Sequence, residues 1–200
     1  MNRSRLCVAV LLFLGLAAST FSQAPPEPKF KLGGQAENVA LRDLKGQSSP
    51  LYDVGKGSKL RVVMFIATQC PVSNAYNERM AAIDREYQAQ GVRFLAINSN
   101  RQESASEVGQ HAAKNGFGFP MYKDEKNVVA DIFGASVTPE VYVFDAGWTL
   151  RYHGRIDDNQ PGTKITSPDL RNALTALLEN KPVPAAETKA FGCTIKRVSK

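Results

Sequence analysis

The residues in this 200-residue chain best suited to chemistry are Cys70-Pro71-Val72-Ser73. An apolar run ends at Ile66 and a helical pattern begins at Val72, so Cys70 stands at the joint between a strand and a helix. A sulfur at a helix N-terminus faces free backbone N–H groups and the positive end of the helix dipole. Both favour thiolate over thiol and make the sulfur a nucleophile near neutral pH. Pro71 suits the first helical position, where its missing N–H is not needed. The N–H groups of Val72 and Ser73 are then free to point at the sulfur, and the Ser73 hydroxyl can also reach it. The alternative is an inert buried cysteine, but this one lies at the end of an element, where thiol acidity is raised.

No second cysteine lies nearby. The other two are Cys7 and Cys193. Cys7 falls within an apolar run, Leu6 to Ala18, that follows the basic start Asn2-Arg3-Ser4-Arg5 and precedes Ser22-Gln23-Ala24. That is the three-part pattern of a secretory signal over residues 1–24. The run is shorter than the about 20 residues that span a bilayer, so the reading is a cleaved signal rather than an anchor, with no stable membrane span left after its removal. The expected compartment is periplasmic or extracellular, where disulfides are permitted. Residues 25–180 then form one domain with a good core. Residues 181–200 form an irregular, basic, proline-bearing and mobile tail that carries Cys193. Losing Arg3 and Arg5 lowers the formal charge from +6 to +4. That charge is spread along the chain, with no basic run for nucleic acid.

The elements that must position Cys70 follow from hydrophobic periodicity. Leu60–Ile66 reads as a buried strand. Val72, Tyr76, Met80, Ile83 and Tyr87 line one helix face, which Gly91 stops. Residues 92–97 read as a second strand, parallel to the first. Helices are expected over about 104–114 and 127–133. Residues 141–144 and 150–153 flank the turn Asp145-Ala146-Gly147 as a hairpin. A last helix starts at Ser167-Pro168, with Ser167 as N-cap, and carries Leu170, Leu174, Leu177 and Leu178. Residues 29–58 are Gly-rich and fit a small leading hairpin.

This order, a leading β region, then β-α-β, then helix, hairpin and helix, is that of an α/β thioredoxin fold with a central mixed β-sheet flanked by helices. Phe65-Ile66-Ala67-Thr68-Gln69-Cys70-Pro71 resembles the active-site strand and turn of thioredoxin-like redoxins, most closely the alkyl hydroperoxide reductase/thiol-specific antioxidant branch. Asn98-Ser99-Asn100, Thr138-Pro139, Tyr152 to Asp158 and Gly192-Cys193-Thr194-Ile195-Lys196 are similar to stretches of an exported subgroup of that branch. The resemblance spans about residues 35–197. It implies a thiol-dependent oxidoreductase without a cofactor, acting on a peroxide or a disulfide and served by an unidentified thiol electron donor. It implies a cis Pro139 against the sulfur, and an arginine near the thiolate at the place of Arg151. Strand alternation puts Arg151, His153 and Arg155 on one face.

The chain also departs from both better-known patterns. In a C-x-x-C motif the partner position is Ser73. In the P-x-x-x-T-x-x-C pattern of peroxiredoxins the corresponding positions are Val63, Ala67 and Cys70, with Thr68 one residue nearer the sulfur. Spacing leaves Cys193 open among three roles: a redox partner of Cys70, a permanent staple, or a separate thiol. Two alternatives stand beside the enzyme: a non-catalytic binding module, and a metal-handling protein, for which His111 and His153 are the available imidazoles.

Overall fold

The computed structural model describes residues 27–199. The expected signal segment, with Cys7, lies outside the described residues. Within them the sequence folds around a five-stranded sheet. Its strands are β3 (Leu60–Phe65), β4 (Val92–Asn98), β5 (Met121–Lys123), β7 (Glu140–Asp145) and β8 (Leu150–Gly154), in the order β5-β4-β3-β7-β8. β3 and β4 run parallel, as do β4 and β5, while β7 is antiparallel to both β3 and β8. The leading residues form the expected hairpin, β1 (Ala40–Arg42) and β2 (Ser48–Pro50).

Period-two alternation along β3 feeds two cores. Val62 and Met64 pack with Phe94, Val141, Val143, Met80, Ile83, Leu170 and Leu174 on one face. Val63 and Phe65 pack with Leu95, Ile97, Tyr142, Phe144, Phe133 and Ile195 on the other. The helices sit accordingly. α2 (Asn77–Gln88), α3 (Ala105–Lys114) and α5 (Asp169–Leu178) supply the first cluster, and α4 (Val128–Phe133) the second. This is the mixed, helix-flanked sheet expected of a thioredoxin fold.

Three details differ from the sequence reading. The helix after Cys70 is two helices, α1 (Pro71–Ala75) and then α2, joined at Tyr76, whose N–H turns back to the Ser73 carbonyl. The last helix begins at Asp169 with Pro168, not Ser167, at the capping position; the Ser167 hydroxyl donates to the Asp169 carboxylate instead. The stretch after residue 181 is irregular in secondary structure, but it is docked rather than loose. His153 N–H donates to the Ala186 carbonyl and Thr188 N–H to the His153 carbonyl, so this stretch runs beside β8. It then forms β9 (Cys193–Thr194), paired antiparallel with β6 (Val137–Thr138). Ile195 is buried in the second core, Lys196 N–H reaches the Asn100 side chain, and Arg197 binds Asp131 and the Ala135 carbonyl.

Candidate redox-active cysteine site

Cys70 caps α1. Its backbone is extended, its carbonyl accepts from Asn74 N–H at 2.9 Å, and its Sγ accepts from Ser73 N–H at 3.3 Å. As a thiol it donates to the Thr138 carbonyl at 3.4 Å, across the cis Thr138–Pro139 peptide. The side chain is 3% exposed. The expected geometry of Cys70, Ser73 and Pro139 is therefore present, with two refinements. The Ser73 hydroxyl is fully buried and accepts from Ala67 N–H at 3.2 Å, holding the turn rather than the sulfur. Among the described hydrogen bonds the Cys70 sulfur accepts from the Ser73 N–H and not from that of Val72.

Cys193 is brought to Cys70 by the β6–β9 pairing, in which it lies opposite Thr138. Both cysteines are free thiols, close enough that each shifts the acidity of the other. Gly192 makes the approach possible. A Cβ there would lie 2.0 Å from the Thr138 carbonyl oxygen, far inside van der Waals contact. Burial pushes the Cys70 thiol up. The Cys193 side chain, the Ser73 N–H, the Thr138 side chain and the Cys193 N–H outweigh it, leaving Cys70 below the ordinary cysteine value. Burial pushes Cys193 up, the adjacent Cys70 pushes it further, and Val72 N–H and the Lys196 charge do not restore it. The pair is thus asymmetric: the buried sulfur is the more acidic of the two and the half-buried one the less.

Two buried carboxylates hold the walls of the site, and neither stood out in the sequence. Glu103, 1% exposed, accepts from Thr68 N–H at 2.7 Å and Gln69 N–H at 3.2 Å, and so fixes the turn into Cys70. The Asn98 amide and, at 2.8 Å, the Asn100 amide bind the same carboxylate. Lys123 Nζ anchors both asparagines, at 2.9 Å from Asn98 Oδ1 and 2.7 Å from the Asn100 carbonyl. Burial pushes Glu103 up, but these donors hold it below the usual glutamate range. Glu140, next to Pro139, accepts from Ser136 and Val137 N–H and contacts His153 Nε2 at 2.7 Å, so it fixes β6, the strand on which β9 rests. The Asn98-Ser99-Asn100 stretch was the available signal for the first carboxylate; nothing in the sequence marked the second.

The remaining candidates do not join the sulfur. Arg151 pairs with Asp145 at 2.8 Å. Register places Asp145 opposite Leu60, and Glu140 opposite Phe65, so Arg151 stands at the end of the sheet remote from Cys70. There it lines a cleft with Lys59, Lys181 and Val183. The expected common face is not kept either. His153 stacks on Tyr142 and Arg155 binds Asp169 of α5. Among the described hydrogen bonds the Thr68 hydroxyl makes none to Cys70; its main chain is held by Glu103 and Asn74. His111 contacts Asn77. Among the described residues no group of three or more His, Cys, Asp or Glu side chains is arranged to hold a metal ion.

The family model described as the AhpC/TSA family matches residues 32–153. The chain belongs to the AhpC/TSA family. It is a thioredoxin-fold redoxin and a thiol-dependent oxidoreductase. The thiol-disulfide oxidoreductase ResA of Halalkalibacterium halodurans is 31% identical over 125 residues, which is 62% of this chain and 68% of that protein. A crystal structure of a hypothetical protein from Sinorhizobium meliloti 1021 is 34% identical, with a TM-score of 0.79 over 86% of this chain and 97% of its own. That of an uncharacterized conserved protein from Geobacillus kaustophilus is 35% identical, also at 0.79, over 86% and 94%. The matched family region ends at residue 153 and so holds Cys70 but not Cys193.

Proposed function

We propose that Cys70 and Cys193 form a reversible redox couple that exchanges electrons with external thiols and disulfides in an exported compartment. The single observation that supports this reading is the placement of the two cysteines on Thr138, whose carbonyl lies 3.4 Å from Cys70 Sγ and which stands opposite Cys193 in the β6–β9 ribbon. Oxidation joins the sulfurs and removes two electrons and two protons. Reduction by two external thiols returns them and releases an external disulfide. Within the couple Cys70 is the thiol that attacks its partner, because Ser73 N–H donates to its Sγ and helps hold its pKa below the ordinary cysteine value. Resemblance to ResA supports disulfide exchange. Export is supported by the basic, apolar and small-residue pattern of residues 1–24. Among the described residues no helix is long and apolar enough to cross a membrane.

Peroxide is the rival oxidant. The arginine that would support it, Arg151, is held by Asp145 away from the sulfur. The test is mild oxidation of the reduced protein, first with oxidised glutathione and separately with one equivalent of hydrogen peroxide, followed by mass spectrometry. The expected product of either is an intramolecular disulfide two hydrogens lighter, absent from Cys70→Ser and reversed by dithiothreitol. A sulfenic acid trapped by dimedone on Cys70, with no closure to Cys193, would replace exchange with peroxide reduction. No reaction at either thiol would leave a binding module as the better account.

A further inference from the structure

The two sulfurs are not equally open to a partner. Cys70 is 3% exposed, and the residues behind it are buried too: Ala67, Ser73 and Thr138 are all 2% exposed or less. Cys193 is half-buried, with Thr194, Gln69 and Pro71 exposed around it. Thiol–disulfide exchange requires the attacking, central and leaving sulfurs to lie in line. Attack on Cys70 in a Cys70–Cys193 disulfide would have to come from the side opposite Cys193. The buried Ala67–Ser73 turn and the Thr138 carbonyl enclose Cys70 and leave it almost no exposed surface for such an approach. Attack on Cys193 comes from the side away from Cys70, toward solvent. Nor does β9 stand aside to open another path. Residues 192–198 are tied down by Ile195, which is buried and donates its N–H to the Ser136 carbonyl, and by Lys196, Arg197 and Val198.

We propose that the external sulfur joins the protein at Cys193, and that buried Cys70 is the leaving thiol in one direction and the resolving thiol in the other. This rests on the reading of the two cysteines as a redox couple. In the oxidised protein an external thiolate forms a bond to Cys193 Sγ. The Cys70–Cys193 bond breaks, and its electron pair leaves on Cys70 Sγ, where Ser73 N–H receives it. A second external thiolate then attacks the external sulfur of the mixed disulfide. This releases an external disulfide, and Cys193 takes up a proton. Two thiols are oxidised and one protein disulfide is reduced. In reverse, Cys193 attacks an external disulfide, and Cys70 attacks Cys193 Sγ from the interior to expel the second half. The lowered pKa of Cys70 suits a leaving group, since a more acidic thiol leaves faster.

The experiment treats the oxidised wild-type protein with reduced glutathione, quenches with acid at short times and digests at low pH. We expect glutathione on the Cys193 peptide in at least tenfold excess over the Cys70 peptide. Equal labelling, or an excess on Cys70, overturns the proposal while leaving the couple intact. Single-thiol variants provide a second readout. Cys193→Ser should react with small methyl methanethiosulfonate, yet, relative to that rate, react at least tenfold more slowly with oxidised glutathione than Cys70→Ser does. A ratio near one overturns the proposal. If the wild type never forms the intramolecular disulfide, the couple itself fails, and the variants still decide which thiol a bulky partner can reach.

Discussion

Gly192→Ala perturbs the site without touching either sulfur. The added Cβ would lie 2.0 Å from the Thr138 carbonyl oxygen and 2.7 Å from its carbon, where real Cβ atoms essentially never come closer than 3.0 Å. The obstacle is main chain and cannot rotate away, so β9 must move outward by about 1 Å or release β6. Release exposes Ile195, a loss of about 1.5–3 kcal/mol for a buried aliphatic side chain. Each strand hydrogen bond lost adds about 0.5–1.5 kcal/mol. We expect a total loss of about 2–4 kcal/mol, read as a lower urea midpoint with an unchanged helical circular dichroism spectrum. The sulfurs separate at the same time. Closure of the Cys70–Cys193 disulfide should slow by about ten- to a hundredfold, as reacting atoms misplaced by about 1 Å typically do. Stopped alkylation after addition of oxidised glutathione measures it. A variant with the wild-type urea midpoint and closure rate would refute the reasoning, because it would mean that β9 does not hold Cys193 against Thr138.

Three further outcomes are expected. The folded-state pKa of Glu103 lies below its unfolded value, so its contribution to stability is present above about pH 4.3 and is lost as pH falls through the folded value. Glu103→Gln, which turns an acceptor oxygen into a donor facing N–H groups, should cost about 2–4 kcal/mol at pH 7 and flatten that acid dependence; parallel urea titrations of the two proteins at pH 7 and pH 3.5 would show it. Cys70 should alkylate with iodoacetamide with a midpoint below the free-cysteine value of about 8.5, and Cys193→Ala should move that midpoint upward by removing a hydrogen-bond partner, as peptide mass spectrometry across a pH series would record. Arg151→Ala should leave thiol reactivity unchanged and shift stability by about 1 kcal/mol or less, since its partly exposed pair with Asp145 is of the weak surface kind; slowed oxidation of Cys70 in this variant would contradict the placement of Arg151.

The parts of the fold legible in sequence were those with a long, clean period. Leu60–Phe65 is apolar except at Arg61 because both faces of β3 are covered. The α2 stripe of Met80, Ile83 and Tyr87 reads plainly because one face alone is buried. Cys70 as a helix cap was legible from the same boundary. The short pieces were not. β5, β6 and β9 have three residues or two, too few for any period to register. The kink at Tyr76 was hidden because the apolar spacing runs on through it. Docking of residues 186–198 rests on two apolar side chains, Ile195 and Phe191, and on hydrogen bonds to Ser136, Asn100 and Asn127, distant partners that no local pattern announces. Alternation predicted a shared face for Arg151, His153 and Arg155. It said nothing of which end of the sheet each would occupy, and β8 ends at Gly154, before Arg155. Glu103 read as an ordinary polar residue ahead of a helix; only the convergence of four donors from β4, from the turn after it and from the Cys70 turn makes it a buried anchor.

The strap formed by residues 186–198 also sets an order in time. The strands from β3 to β8 and the α1 cap are synthesised before Phe191, Gly192 and Cys193. The growing chain therefore carries Cys70 uncovered, with its sulfur open to any oxidant or stray thiol it meets, until the strap arrives and shuts over it. Pairing over so long a sequence separation is slow compared with forming a local helix or hairpin. The interval is thus a property of the topology, and it ends only when Ile195 is buried. An extension, tag or truncation that keeps these residues from seating changes the reactivity of a cysteine more than a hundred positions upstream, even though it leaves every neighbour of that cysteine in sequence untouched.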